Sequence, residues 1–207
     1  MSDLIVISAP SGAGKTSLVH AMVERFDNLV ASVSHTTRPK RSGEVDGEDY
    51  FFVTPEQFDE MQKADAFLEF AEVFGNFYGT SIAQIQQRQA EGYDVILEID
   101  WQGARNIRAR MPNVLSVFVL PPSIDALRAR LVGRGQDDES IIAQRMAAAA
   151  DEMSHFDEYE FLIVNDDFDQ ACDELAGILQ QKRRNRSNLA PAIREKYPEL
   201  IAEIAKF

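Results

Sequence analysis

The chain has 207 residues and a formal net charge of −13 at pH 7, an acidity that argues against a nucleic-acid surface. Its length suits one sizeable core or a core with small inserted lobes. Its apolar runs are strand-sized, too short to span a membrane as helices, and Asp3 precedes only a brief apolar run, unlike a signal peptide. A single cysteine, Cys172, leaves no partner for an internal disulfide. That fits a reducing compartment, with the cytoplasm as the expected location.

Leu4-Ile5-Val6-Ile7 is a short β-branched strand, and it runs into the small-residue loop Ser8-Ala9-Pro10-Ser11-Gly12-Ala13-Gly14, then Lys15-Thr16-Ser17. Apolar positions Leu18, Val19, Met22 and Val23 follow at helical spacing. A strand, a Gly-rich turn and a helix opening on Lys-Thr make a phosphate loop. Gly12 and Gly14 let successive N–H groups turn into one concavity, and the helix adds its own unpaired N–H groups and positive dipole end. Residues Ala9 to Ser17 are thus the expected triphosphate cradle. Lys15 would reach the outer phosphates, and the Thr16 hydroxyl would ligate the Mg²⁺ that travels with the nucleotide. Ala9 stands where the pattern has Gly, which costs little if the backbone there keeps φ below zero.

The first helix should end near Arg25, and Leu29 to Ser34 reads as a second strand. A turn-rich, polar stretch follows, with Arg38-Pro39-Lys40-Arg41 and Gly43-Glu44-Val45-Asp46-Gly47, closing on Tyr50 to Val53. Thr54-Pro55-Glu56-Gln57 signals a helix start, with Thr as cap, Pro at the first helical position and Gln57 as the returning partner. That helix should run to about Lys63, with Phe67 to Val73 as a strand, Gly75 to Thr80 as a loop, and Ser81 capping another helix. This region reads as a small inserted lobe.

Alternation of strand and helix then resumes. Strands are expected at Asp94–Asp100, Val114–Leu120 and Phe161–Asn165, and helices at Gln102–Met111, from Ser123 to Leu131, at Glu139–Met153, and from Phe168 onward behind an Asp166-Asp167 cap. Gly133 to Asp138 reads as an exposed polar loop, and Ser187 to Phe207 as weakly amphipathic helix broken by Pro191 and Pro198. The fold class is α/β: a doubly wound, mostly parallel sheet of the P-loop NTPase kind.

Ligands of such sheets sit beyond the carboxyl ends of the strands, so the phosphate loop, the segment from Ser34 to Arg41, and Glu98 with Asp100 are expected to share a cleft. Asp100 occupies a strand-end position suited to an acid near Mg²⁺, directly or through water. An acidic protein that binds several phosphates needs local cations. Arg38 with Arg41, and Arg128, Arg130, Arg134 and Arg145, are the clusters available; Lys182 to Arg186 reads as a solvated face. Arginine offers phosphate a planar fork that stays charged, and Tyr50 and Tyr78 could each add a phenolic donor. Glu69 lies among Phe67, Leu68, Phe70 and Ala71, where an unpaired carboxylate is costly. A carboxylate facing a pocket suits the paired N1–H and 2-amino donors of guanine, which adenine lacks.

These residues resemble the bacterial guanylate kinase family over nearly the whole chain. The most specific pieces are Ser32-Val33-Ser34-His35-Thr36-Thr37-Arg38, Gly43 to Gly47, Phe74 to Ser81, Ile99-Asp100-Trp101-Gln102-Gly103 and Gly133-Arg134-Gly135. The resemblance implies Mg²⁺-dependent transfer of the ATP γ-phosphoryl group to GMP. It implies a core (1–33, 85–127 and 156–207), a GMP-binding lobe (34–84) and a helical lid (128–155). It assigns Ser34, Glu69 and Thr80, beside Gly79, to the guanine base, and Arg38, Arg41, Tyr50 and Tyr78 to the GMP phosphate. Arg130, Arg134 and Arg145 would surround the transferring group or ATP, and Asn165 would lie near adenine. Lys15, Arg38, Asp100, Arg134 and Arg145 form the implied catalytic set, with Asp100 and Glu98 also on the GMP side. Glu98 stands where many relatives carry Asp. The expected partners are ATP and GMP, without nucleic acid or membrane, and a homodimer or larger homo-oligomer is allowed for. Three other readings are weighed: a phosphate-loop kinase for another acceptor, a non-catalytic binding module, and a signalling GTPase. The last would need a guanine-reading Asn-Lys-x-Asp segment, which is missing.

Overall fold

The computed structural model describes residues 2–73, 75–133, 139–181 and 195–206. Strand β1 (Leu4–Ser8) is wholly buried and leads to helix α1 (Lys15–Arg25). With β2 (Leu29–Ala31), β7 (Asp94–Glu98), β8 (Leu115–Leu120) and β9 (Phe161–Val164), it forms a five-stranded sheet in the order β2-β7-β1-β8-β9. The pairs β2–β7 and β8–β9 are parallel. Strands β1, β8 and β9 carry no exposed residue, as a sheet covered on both faces requires.

Contacts divide the chain into two compact units. The first comprises Met1–Ile5, Asn28–Leu97 and Gln102–Val114. It holds a second, four-stranded sheet, β4-β3-β6-β5, built from β3 (His35–Thr36), β4 (Phe51–Phe52), β5 (Phe67–Val73) and β6 (Asn76–Ser81). Helix α2 (Pro55–Lys63) opens with the expected capping box: Thr54 Oγ1 accepts the Gln57 N–H, and the Gln57 side chain accepts the Thr54 N–H. Phe58 of α2 is buried and stacks on Phe67 with ring centroids 4.5 Å apart. Gly79 slots beside both rings; a Cβ there would come within 3.0 Å of each. Helices α3 (Ile82–Ala90) and α4 (Trp101–Arg110) complete the elements of this region.

Three expectations change here. Gly75 to Thr80, read as a loop, is strand β6 from Asn76 onward, because its backbone is captured by an antiparallel ladder to β5 running from Phe67↔Ser81 to Val73↔Asn76. The strand expected over Leu29 to Ser34 stops at Ala31; His35 and Thr36 instead pair with β4 and β6 in the second sheet. Ser81 precedes α3 without a side-chain cap, since it still belongs to β6 and the Ile82 N–H is taken by the Ala66 carbonyl at 3.0 Å.

The second unit comprises Val6–Asp27, Glu98–Trp101 and Leu115–Phe207. Leu18, Val19 and Met22 form the fully buried stripe of α1, and Arg25 near its end pairs with Asp173 at 2.7 Å. Helices α5 (Ile124–Gly133), α6 (Glu139–Ser154), α7 (Phe168–Gln181) and α8 (Pro198–Ile204) follow in order. Ser123 caps α5 through the Ala126 N–H, and Asp167 caps α7 through the Gln170 N–H. Among the described residues, no helix is long and apolar enough to cross a membrane.

Candidate active site

The phosphate loop is shaped by two left-handed glycines, Gly12 at φ 97° and Gly14 at φ 93°, and by a turn in which the Ala13 N–H reaches the Pro10 carbonyl at 3.0 Å. Helix α1 starts from Gly14 with no side-chain cap, so its first N–H groups remain for an anion. Asn165, 5% exposed at the end of β9, holds this loop: its Nδ2 donates to the Ala13 carbonyl at 2.7 Å. Its own carbonyl accepts from Arg130 Nη2 at 2.8 Å. The side chain read as an adenine neighbour thus braces the loop backbone.

Lys15 Nζ donates to the Ile99 carbonyl at 3.4 Å, and the Thr16 hydroxyl donates to Glu98 Oε2 at 3.0 Å. Glu98, expected on the GMP side, therefore meets the hydroxyl expected to ligate Mg²⁺. Ser8 Oγ reaches the Asp100 carbonyl at 3.4 Å. A further carboxylate had no part in the sequence reading. Glu152 of α6 accepts from the Ser11 N–H, and its Oε2 is buried without a hydrogen-bond partner. Burial pushes its pKa up to about 7, against the pull of Lys15 and the Ser11 N–H, with Asp100 and Asp151 adding to the rise. The only signal in sequence is the Asp151-Glu152 pair closing an alanine-rich helix, where one acid has to face inward.

In the first unit, Arg38 and Glu44 form a bidentate pair, Nη2 to Oε1 at 2.6 Å and Nη1 to Oε2 at 3.2 Å. Glu44 Oε2 also accepts the Arg41 N–H at 2.7 Å, and Arg38 Nη1 donates to the Pro39 carbonyl at 2.9 Å. The guanidinium lies 5.3 Å from the centre of the Tyr50 ring, and the Tyr78 hydroxyl is in hydrogen-bond contact with it. Tyr50 and Tyr78 meet edge to face at 5.9 Å. The pair holds the Glu44 carboxyl below its usual range and raises Arg38, the Glu44 contact being the main cause.

Glu69 and Thr80 are register partners on β5 and β6, beside the irregularity between Phe67 and Glu69. Thr80 Oγ1 donates to Glu69 Oε1 at 2.5 Å, and the residues are 1% and 7% exposed, Thr80 the deeper. Ser34 is half-buried, and its carbonyl takes the Phe51 N–H at 2.9 Å.

The family model for guanylate kinase matches residues 1–182. The chain belongs to the guanylate kinase family. It is 57% identical over 187 residues to a guanylate kinase of Escherichia coli (strain K12), covering 89% of this chain and 90% of that one. It is 52% identical over 198 residues to a guanylate kinase of Alkalilimnicola ehrlichii, covering 96% and 98%. The crystal structure of a guanylate kinase from Anaplasma phagocytophilum superposes with a TM-score of 0.72 at 33% identity, over 95% of this chain and 96% of that one. By this membership the chain is a phosphotransferase on a P-loop NTPase-like α/β fold.

Within this guanylate kinase fold the expected residues fall into two groups. Lys15, Thr16, Glu98, Asp100, Arg130, Arg145 and Asn165 belong to the second unit; Ser34, Arg38, Arg41, Tyr50, Glu69, Tyr78, Gly79 and Thr80 belong to the first. Arg145 is half-buried on α6. Arg134, the rest of the expected loop to Asp138, Phe74 and the basic run from Lys182 lie outside the described residues.

Proposed function

We propose that this chain moves the γ-phosphoryl group of ATP to the phosphate of GMP, giving ADP and GDP, in the cytoplasm. The observation that carries the choice of acceptor is the buried Glu69–Thr80 pair in the unit that also holds Arg38 and Arg41. A carboxylate fixed by a hydroxyl at one oxygen presents acceptor lone pairs to the N1–H and 2-amino group of guanine. The relatives named guanylate kinase, at 52% to 57% identity, support the same acceptor.

In this reading Lys15 and the loop N–H groups hold the outer phosphates of ATP. The donor set around the loop, a hydroxyl from Thr16 backed by Glu98 at 3.0 Å, is all oxygen and suits Mg²⁺. Such an ion would supply neutralisation of the phosphate charge. Thr16 would hold it, with Asp100 acting through water. Arg38 and Arg41 orient the acceptor phosphate, whose oxygen is already anionic, so the protein needs no general base. Arg134 and Arg145 neutralise the charge that develops on the transferring group, and closure of the lid region excludes water that would otherwise consume ATP.

The experiment is a coupled assay for ADP release with ATP, Mg²⁺ and each of GMP, dGMP, AMP, CMP and UMP. Strong turnover with GMP, less with dGMP and almost none with the others is the expected result. Equal turnover across the bases removes the role given to Glu69.

A further inference from the structure

Arg38 offers five N–H donors, and its end-on edge is already occupied. Nη1 and Nη2 each point one hydrogen at Glu44, and the second Nη1 hydrogen goes to the Pro39 carbonyl. The donors not taken by Glu44 or Pro39 are on the side edge, Nε–H with the second Nη2–H, the other geometry in which a guanidinium can fork an anion, and the Tyr78 hydroxyl is the group in hydrogen-bond contact there. The Tyr78 hydroxyl and the Tyr50 ring are beside that guanidinium.

Glu44 itself is anchored at more points than one ion pair would provide. It takes the Arg41 N–H at 2.7 Å, its own N–H turns back to the Arg41 carbonyl at 3.3 Å, and left-handed glycines flank it at Gly43 (φ 92°) and Gly47 (φ 82°). The next residue is fixed as well, the Val45 N–H donating to Asp49 Oδ2 at 2.7 Å. The Arg38 and Glu44 side chains are 12% and 18% exposed, so the pair is shielded from the screening that weakens surface ion pairs. A carboxylate merely standing in for an absent phosphate would need none of this loop construction. A carboxylate fixed on one edge of a flexible arginine removes the rotamer freedom that phosphate binding would otherwise have to freeze.

We infer that Glu44 is a positioning residue for the acceptor: it clamps the end-on edge of Arg38 and aims the side edge at the phosphate of the nucleoside monophosphate. This rests on the reading of GMP as acceptor and adds to it a residue that touches neither base nor phosphate. Because it acts through Arg38, its loss should weaken recognition of the phosphate and leave recognition of the base alone.

The test is calorimetric titration of the wild-type chain, Glu44→Gln, Arg38→Ala and the double variant with GMP and with guanosine, alongside steady-state kinetics. Glu44→Gln keeps the size and an acceptor for the Arg41 N–H but loses the charged clamp. Its affinity for GMP is expected to fall about tenfold or more, the scale of a hydrogen bond to a charged group. Guanosine affinity and the KM for ATP stay unchanged, and Glu44→Gln adds little once Arg38 is alanine. GMP binding that stays the same or tightens in Glu44→Gln overturns the inference, as does an equal loss for guanosine or full additivity with Arg38→Ala. Wild-type turnover with GMP alongside such a result leaves the proposed reaction standing and removes only the role of Glu44.

Discussion

Glu69 and Thr80 face each other across β5 and β6 at 2.5 Å, hydroxyl to carboxylate, in a setting that leaves both nearly free of solvent. One Glu69 oxygen is thereby committed to the protein. Glu69→Gln keeps the size but turns one acceptor into a donor, which opposes a guanine N–H. The expected loss in kcat/KM for GMP is about a hundredfold, since a site built to hydrogen-bond its substrate penalises a mismatch heavily. Thr80→Val removes the hydroxyl and should cost about 1–3 kcal/mol of stability by leaving a buried carboxylate short of a donor. Steady-state kinetics and urea unfolding midpoints read these two effects separately.

Lys15→Ala removes the one cation that the loop itself carries. Turnover should drop by about three orders of magnitude or more, because no other side chain of the loop brings a positive charge to the outer phosphates of ATP. The far-ultraviolet circular dichroism should not change, since Lys15 Nζ contributes a single 3.4 Å contact to the Ile99 carbonyl. Near-normal turnover in this variant would falsify the mechanism.

Glu152 supplies a pH dependence of known sign. Its carboxyl titrates near 7 in the folded chain against 4.5 as its ordinary value, burial being the main cause. Between those values the native state holds the extra proton, so this group's contribution is fully present below 4.5 and is lost as pH rises through about 7. Glu152→Gln imitates the protonated form. It should stabilise the chain by about 3 kcal/mol at pH 8 and hardly at all at pH 4. His35 pulls the other way: burial lowers its pKa, so its contribution is present above the ordinary value and lost as pH falls. It is common to both proteins and cancels in the difference. Unfolding of wild type and variant across that range gives the slope directly, and a difference independent of pH would remove the assignment to Glu152.

Thr54→Ala breaks the capping box of α2 by removing the acceptor for the Gln57 N–H at 3.2 Å. The loss expected is about 1 kcal/mol, with little change in the KM for ATP. Thr54→Ser restores the oxygen and should recover most of it. A Ser variant as weak as the Ala variant points to the methyl group instead.

That cap was legible in the sequence because everything it needs lies within four consecutive residues, Thr54 to Gln57. The phosphate loop was legible for the same reason: Gly12, Gly14, Lys15 and Thr16 act through local backbone geometry. Strand β6 was not, because Gly75 and Asn76 look like turn residues and it is the ladders to β5 and β3, distant in sequence, that make Asn76–Ser81 extended. Of the two acids that close β7 and its extension, the sequence reading puts Asp100 beside Thr16 at the Mg²⁺ and Glu98 on the GMP side. The hydrogen bond falls to Glu98, on the far side of the pleat from its neighbours Leu97 and Ile99. Glu44 was in plain view between two glycines, yet a carboxylate six residues after Arg38 meets it only because the turn folds back. Glu152 depends on which face of α6 is turned inward, and the alanines around it make every face look alike.

The late helix α8 has a consequence for the first loop of the chain. Leu200 and Ile204 are each 3% exposed, and the Glu203 carboxylate lies 3.5 Å from the Ile124 N–H, where α5 begins. An acid there favours the positive end of that helix. Further along α5, Leu127 and Leu131 sit directly under Gly12: a Cβ on that glycine would come within 3.1 Å of each. A residue nearly two hundred positions downstream in the sequence is therefore joined, by one hydrogen bond, to the helix whose leucines lie under the glycine-rich loop. Fusing a tag close behind Ile204, or trimming back to Gln181, should register first as looser binding of ATP, before any loss of the fold itself.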